Sequence, residues 1–117
     1  MPPAEVELRP SPIAGNGVFA VHDIAAGVVV EGSLNHSCDP NTWFDRESLV
    51  TRRQVAADEE LTYDYATGSD DLVLVCHCET YRCRQMIEGS DWQIPQLQQR
   101  YAGHWAPDLQ RLIDDAG

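Results

Sequence analysis

The chain has 117 residues, 43% hydrophobic and 23% charged, a balance that suits one globular domain with a modest core. No apolar run approaches the ~18 residues of a membrane span, and the N-terminal MPPAEVELRP lacks the basic start and apolar core of a secretory signal, so no membrane partner and an intracellular, reducing location are predicted. Nineteen acidic against eight basic residues give a net charge of −11, which argues against direct nucleic-acid binding and suits either a basic partner or a solvated acidic surface.

In chain order, VELRP (6–10), GVFAV (17–21), GVVV (27–30), LVTRRQV (49–55), ELTYDY (60–65) and LVLVC (72–76) are short β-like runs punctuated by Gly, Asp and Asn. From Trp92 the period changes. IPQLQQRY (94–101) and APDLQRLIDD (106–115) each place apolar residues at helical spacing, with Pro near a first turn. Trp92, Tyr101, Trp105, Leu109 and Leu112 are read as packing residues of these two helices. There is no internal repeat and no linker, so the chain is one compact unit in three parts: a mainly β part at 1–75, a cysteine-bearing segment at 76–91 and a helical extension at 92–117.

Between these runs, LNHSCDPN (34–41) sets an amide, an imidazole, a hydroxyl and a thiol in succession and then turns at Asp39-Pro40-Asn41. Its thiol, Cys38, has three counterparts: Cys76, Cys78 and Cys83 in a C-x-C-x4-C pattern. Four thiolates suit one tetrahedral Zn²⁺, a site type that is structural and closed, whereas disulfides do not suit a reducing compartment. Inert buried cysteines or a redox C-x-C pair are the alternatives. His36 and His77 are also possible ligand types, but four cysteines make neither necessary. A metal held by Cys38 and the later three would clasp distant segments together. Structural zinc supplies an apparent ~10–16 kcal/mol in small peptides, against ~5–15 kcal/mol for a whole domain.

GNGVFA (15–20), LNHSCDPN (34–41), DEELTYDY (58–65) and CHCETYRC (76–83) resemble, in order, the four signatures of the SET-domain protein-lysine methyltransferases, the last being similar to the post-SET zinc motif. GSDWQIPQLQQRYAGHW (89–105) resembles the tails of small bacterial members, which implies a cytoplasmic bacterial setting. The resemblance implies a mainly β, SET-type β-clip of small sheets with a knot-like crossing of the Asn-His and Tyr segments. It further implies a Cys₄ zinc segment formed by Cys38, Cys76, Cys78 and Cys83, followed by short C-terminal helices. It implies S-adenosylmethionine as cofactor, contacted by Ala14, Gly15, Asn16 and Gly17, by Asn35 and His36 on the adenine side, by Tyr65, and by His77. Tyr65 would be the catalytic tyrosine, and Tyr63 would occupy the position that varies between phenylalanine and tyrosine.

A methyl sulfonium is already activated, so the enzyme must chiefly align a neutral amine behind the methyl, and alignment contributes ~7–11 kcal/mol in favourable cases. Lysine, near pKa ~10.4, must lose a proton, which an apolar, aromatic-lined channel favours. The implied partner is a basic, lysine-containing protein or peptide. One departure from the family pattern stands out: only residues 18–34 separate Gly17 from Asn35, too few for the helix-bearing insert that walls the substrate groove. The groove is therefore expected to be open until a partner, or a second copy in a homodimer, covers it. The alternative function is a catalytically weak, zinc-stapled SET-like binding module. All eight basic residues are arginine, so any methyl-lysine must form on a second protein.

Overall fold

The computed structural model, which describes residues 3–76 and 80–116, consists of three small sheets followed by two helices. In the first sheet, β1 (Val6–Pro10) and β2 (Asn16–Ala20) form an antiparallel hairpin, with Leu8 opposite Val18. β2 then pairs with β7 (Glu60–Tyr63), Val18 lying opposite Leu61. On the far side of β7 lies β4 (Asn35–His36), which runs parallel to it with Asn35 opposite Thr62 and His36 opposite Tyr63. The sheet order β1-β2-β7-β4 thus brings residues far apart in sequence onto one edge.

The second sheet joins β3 (Val29–Val30), β6 (Ser48–Thr51) and β5 (Thr42–Asp45). The GVVV run yields only two strand residues because the side-chain hydroxyl of Thr51, rather than a ladder carbonyl, accepts the Val28 N–H at 3.0 Å. β4 and β5, and also β9 (Met86–Glu88), arise where no alternating run was visible in the sequence. β4 in particular exists through its partner β7. β9 pairs with β8 (Val73–Val75) as a two-stranded hairpin.

The helices α1 (Pro95–Arg100) and α2 (Pro107–Ala116) each begin at proline, whose fixed φ and missing N–H fit a first turn. Buried Leu97, Tyr101, Trp105 and Leu109 form their core, with Trp92 and Leu112 packed against it, so the aromatic residues are packing residues as the periodicity predicts. The His104 ring stacks on Trp43 with centroids 3.5 Å apart, and its Nδ1–H donates to the Phe44 carbonyl at 2.9 Å. These two contacts tie the helical extension to β5. Among the described residues no helix is long and apolar enough to cross a membrane.

Candidate active site and metal centre

The turn at Asp39-Pro40-Asn41 brings the chain back along β7. Asn41 Oδ1 accepts the buried Thr62 N–H at 2.9 Å, and its Nδ2 donates to the Glu60 carbonyl at 2.8 Å. Thr42 Oγ1 donates to the Thr62 carbonyl at 2.7 Å, and Ser37 N–H donates to the Tyr63 carbonyl at 3.1 Å. A buried strand must find partners for its backbone groups, and here side chains of residues 41–42 complete the ladder that β4 begins.

Asn35 fastens the other end of the crossing. Its Nδ2 donates to the Ala14 carbonyl at 3.0 Å and to Glu60 Oε2 at 2.9 Å, with the Asn16 carbonyl at 3.4 Å. Ser11 Oγ lies 2.8 and 2.9 Å from the two oxygens of the same Glu60 carboxylate. A Cβ at Gly17 would fall 2.2 Å from Glu60 Oε2, so glycine there lets the carboxylate approach. Gly15, at φ +46°, supplies the left-handed residue of the turn.

His36 is 3% exposed and sits at the centre of the crossing. Its Nδ1 accepts the Tyr65 main-chain N–H at 3.0 Å, and its Nε2 lies 3.3 Å from Cys38 Sγ. Burial lowers its pKa to about 4, against the opposing pull of the Asp64 charge, so the imidazole is neutral near pH 7. The Tyr65 hydroxyl donates to the Leu34 carbonyl at 2.7 Å. Tyr63 and Tyr65 have ring centroids 4.8 Å apart. Burial first, and then the neighbouring Tyr65 for Tyr63 and the Glu60 charge for Tyr65, raises both phenol pKa values, so both hydroxyls keep their protons.

Ala14, Asn35, His36 and Tyr65 line one cavity of about 170 Å³, together with Ile13, Leu74, Val75 and Cys76. The apolar walls and the polar groups of Asn35 and Tyr65 suit a flat ring with a polar edge, so these residues fit one part of the cofactor that the motifs imply. Gly15, Asn16 and Gly17 do not line this cavity. Asn16 takes part through its carbonyl, and Gly17 through the space it leaves for Glu60. Leu74 and Val75 went unnoticed in the sequence because their run looks like any apolar strand.

Cys38 Sγ and Cys76 Sγ are 3.8 Å apart across 38 positions of chain. At a Zn–S distance of ~2.3 Å, the edge of a tetrahedron of thiolates is also ~3.8 Å, so the pair fits a zinc site. Arg84 N–H donates to Cys38 Sγ at 3.3 Å, as suits a negatively charged sulfur. Among the described residues the atoms close enough to share an ion come from His36, Cys38 and Cys76. Half-buried Cys83 packs against the same cluster. Cys78 and His77 lie outside the described residues.

Asp64, between the two tyrosines, is an unforeseen hub. Its carboxylate is wholly buried and accepts two hydrogen bonds from Arg84, at 2.7 and 2.9 Å, one from the Tyr101 hydroxyl at 3.0 Å and one from Ala66 N–H at 3.1 Å. Burial opposes the Arg84 charge, but the hydrogen bonds and charge of Asp64 outweigh it and hold the guanidinium pKa above its ordinary value. The sequence offered one signal: an acidic residue in an otherwise apolar strand end, which needs a buried partner.

Residues 30–66 match the family model described as the SET domain. The chain is 38% identical over 66 residues to histone-lysine N-methyltransferase ATX2 of Arabidopsis thaliana, covering 50% of this chain and 6% of that protein. It is 32% identical over 97 residues to histone-lysine N-methyltransferase ash1 of Drosophila melanogaster, covering 68% of this chain and 4% of that one. The chain therefore spans only a small fraction of the length of these relatives. Its fold is similar to that of KRYPTONITE solved with mCHH DNA, H3(1-15) peptide and SAH, at 20% identity and a TM-score of 0.60, over 71% of this chain and 29% of that chain. A SET domain thus occupies residues 30–66 of the chain, within a fold of small sheets shared with a SAH-bound structure.

Proposed function

We propose that the chain is an S-adenosylmethionine-dependent protein-lysine methyltransferase acting on a basic protein. The observation that carries this reading is the convergence of Ala14, Asn35, His36 and Tyr65 on one cavity, the last three of them inside the SET-domain match at residues 30–66, in a chain similar to histone-lysine methyltransferases. When bound, the cofactor supplies an activated methyl group. Asn35 and the Ala14 main chain would hold one side of it, and the crossing of residues 34–42 with 60–65 would keep that wall rigid. The proton of the Tyr65 hydroxyl is committed to the Leu34 carbonyl, so what Tyr65 offers an incoming amine is an oxygen acceptor, and it would position the amine rather than deprotonate it. Apolar surroundings favour the neutral amine. The net charge of −11 suits a lysine-rich substrate surface and speeds its encounter.

Cys38, Cys76, Cys78 and Cys83 are proposed to hold one Zn²⁺ with a structural role. A groove of about 300 Å³ lies at Gly32, beside Leu8, Val18 and Ser33. With only residues 18–34 between Gly17 and Asn35, we place the weak step of the reaction at peptide capture, which a partner or second subunit would improve.

The test is calorimetric binding of S-adenosylmethionine followed by transfer of its labelled methyl to lysine-containing basic proteins. Transfer that falls steeply in Tyr65→Phe, with cofactor affinity nearly intact, supports the reading. Cofactor binding without transfer to any such protein would make the chain a binding module instead.

A further inference from the structure

The imidazole of His36 lies within 4.8 Å of Cys38 Sγ and Cys76 Sγ, which on distance alone would make it a metal ligand. Its hydrogen bonds argue otherwise. Nδ1 faces the Tyr65 main-chain N–H at 3.0 Å, and because that group only donates, Nδ1 must carry the lone pair. Asp64 Oδ1, 3.8 Å from Nδ1, is too far for a hydrogen bond and is already taken by Arg84 and the Ala66 N–H. The proton of the ring then sits on Nε2, which faces Cys38 Sγ at 3.3 Å. A nitrogen that holds a proton has no lone pair for a metal.

Resting on the zinc reading above, we propose that His36 is a positioning residue between the metal centre and Tyr65: it donates Nε2–H to the Cys38 thiolate and accepts the Tyr65 N–H. A metal-bound thiolate is a stronger acceptor than a neutral thiol. Polarising Nε2–H toward it makes Nδ1 more basic and strengthens the bond from Tyr65. Tyr65 begins a short 3-10 turn, Tyr65–Thr67, and its hydroxyl reaches the Leu34 carbonyl two residues before His36. Both ends of the tyrosine are thereby fixed by the segment that carries the metal ligand, and metal occupancy tightens the residue that would align the amine.

The experiment uses the full chain loaded with ¹¹³Cd²⁺ or Zn²⁺. Nitrogen-15 spectroscopy of His36 should show the Nε2–H tautomer, with a coupling from ¹¹³Cd to that proton through the hydrogen bond. Chelation of the metal should speed hydrogen exchange at the Tyr65 amide. In His36→Phe that exchange should be fast with or without metal, and metal affinity should fall by roughly 10–100-fold. His36→Gln, which keeps both a donor and an acceptor, should recover part of each effect. A direct one-bond coupling between ¹¹³Cd and a His36 nitrogen, or Tyr65 exchange indifferent to metal, overturns this inference and leaves the zinc site standing. Freshly reduced protein that takes up no metal overturns both. The measurements on the unmutated chain decide the matter even if His36→Phe fails to fold.

Discussion

Two stretches meet at His36 and are held by different means. The crossing of residues 34–42 with 60–65 is held by many short hydrogen bonds to buried backbone, from Ser37, Asn41 and Thr42. The hairpin of β8 and β9 presents Val73, Val75 and Met86 to solvent and buries chiefly Ile87. Among the described residues its long-range attachments include the approach of Cys76 to Cys38, the Arg84 N–H bond to Cys38 Sγ and the Arg84–Asp64 ion pair. Local backbone satisfaction makes a stretch rigid on its own, whereas a hairpin with so little buried surface depends on the cross-links that hold it. The cavity proposed for the cofactor takes one wall from each region, so it should open from the hairpin side first.

Metal removal should show the largest effect. Structural zinc is worth an apparent ~10–16 kcal/mol in peptides, so if the proposed zinc is bound, chelation, or Cys38→Ser, should abolish hydrogen-exchange protection across residues 72–76 and 80–88 while β2 and β7 remain protected. Equal loss in both regions would break the comparison. Next is Asp64→Ala, which removes two hydrogen bonds from the Arg84 guanidinium, leaves it the longer ion pair with Asp91 at 3.3 Å, and should cost about 3 kcal/mol in a urea titration. The triple variant Asp64→Leu, Arg84→Met and Asp91→Asn should recover much of that loss, because the three charges that face one another there are then all removed. A triple variant as unstable as the single one would show that packing, not charge, dominates.

The difference between the regions also explains what could be read in advance. The long alternating runs became β1, β2, β6 and β7, and the proline-led periodic runs became α1 and α2. Two-residue β4 has no periodicity of its own, because its strand character comes from a parallel partner 27 positions away, as in the pairing of Asn35 with Thr62. Asn35, His36, Tyr65 and Cys38 were legible because each is a polar or reactive group in a distinctive order. The work of Glu60 and Arg84 was not, nor was the identity of the partners that Asp64 needs. A charged residue in a sequence looks like a solvated one until the fold buries it, and only the tertiary structure reveals that Asp64 faces Arg84 and Tyr101.

Within the crossing, Asn41→Ala should cost ~1–3 kcal/mol by stranding the Thr62 N–H and the Glu60 carbonyl, with hydrogen exchange at Thr62 rising more than at Val73. Uniform acceleration would mean that the crossing is not the independent unit described here. The smallest effect belongs to Tyr101→Phe, at about 1 kcal/mol near neutral pH. Burial, and then the Asp64 charge, raises the Tyr101 pKa above its ordinary 10.0, so the folded state retains a proton that the unfolded state loses. That contribution is complete below about pH 10 and disappears as pH rises further. Urea midpoints between neutral and alkaline pH should therefore fall less steeply in Tyr101→Phe than in the natural chain, and parallel curves would remove Tyr101 from the hub.

The most direct test of the functional claim is mass spectrometry of a basic, lysine-containing protein incubated with this chain and S-adenosylmethionine, compared with Tyr65→Phe at equal cofactor occupancy. The account predicts methyl-lysine on the added protein, chiefly as lower methylation states because a tyrosine, Tyr63, packs its ring beside that of Tyr65, with a steep loss in the variant. Methyl-lysine formed equally well by Tyr65→Phe, or none formed by a chain that binds the cofactor, would contradict it.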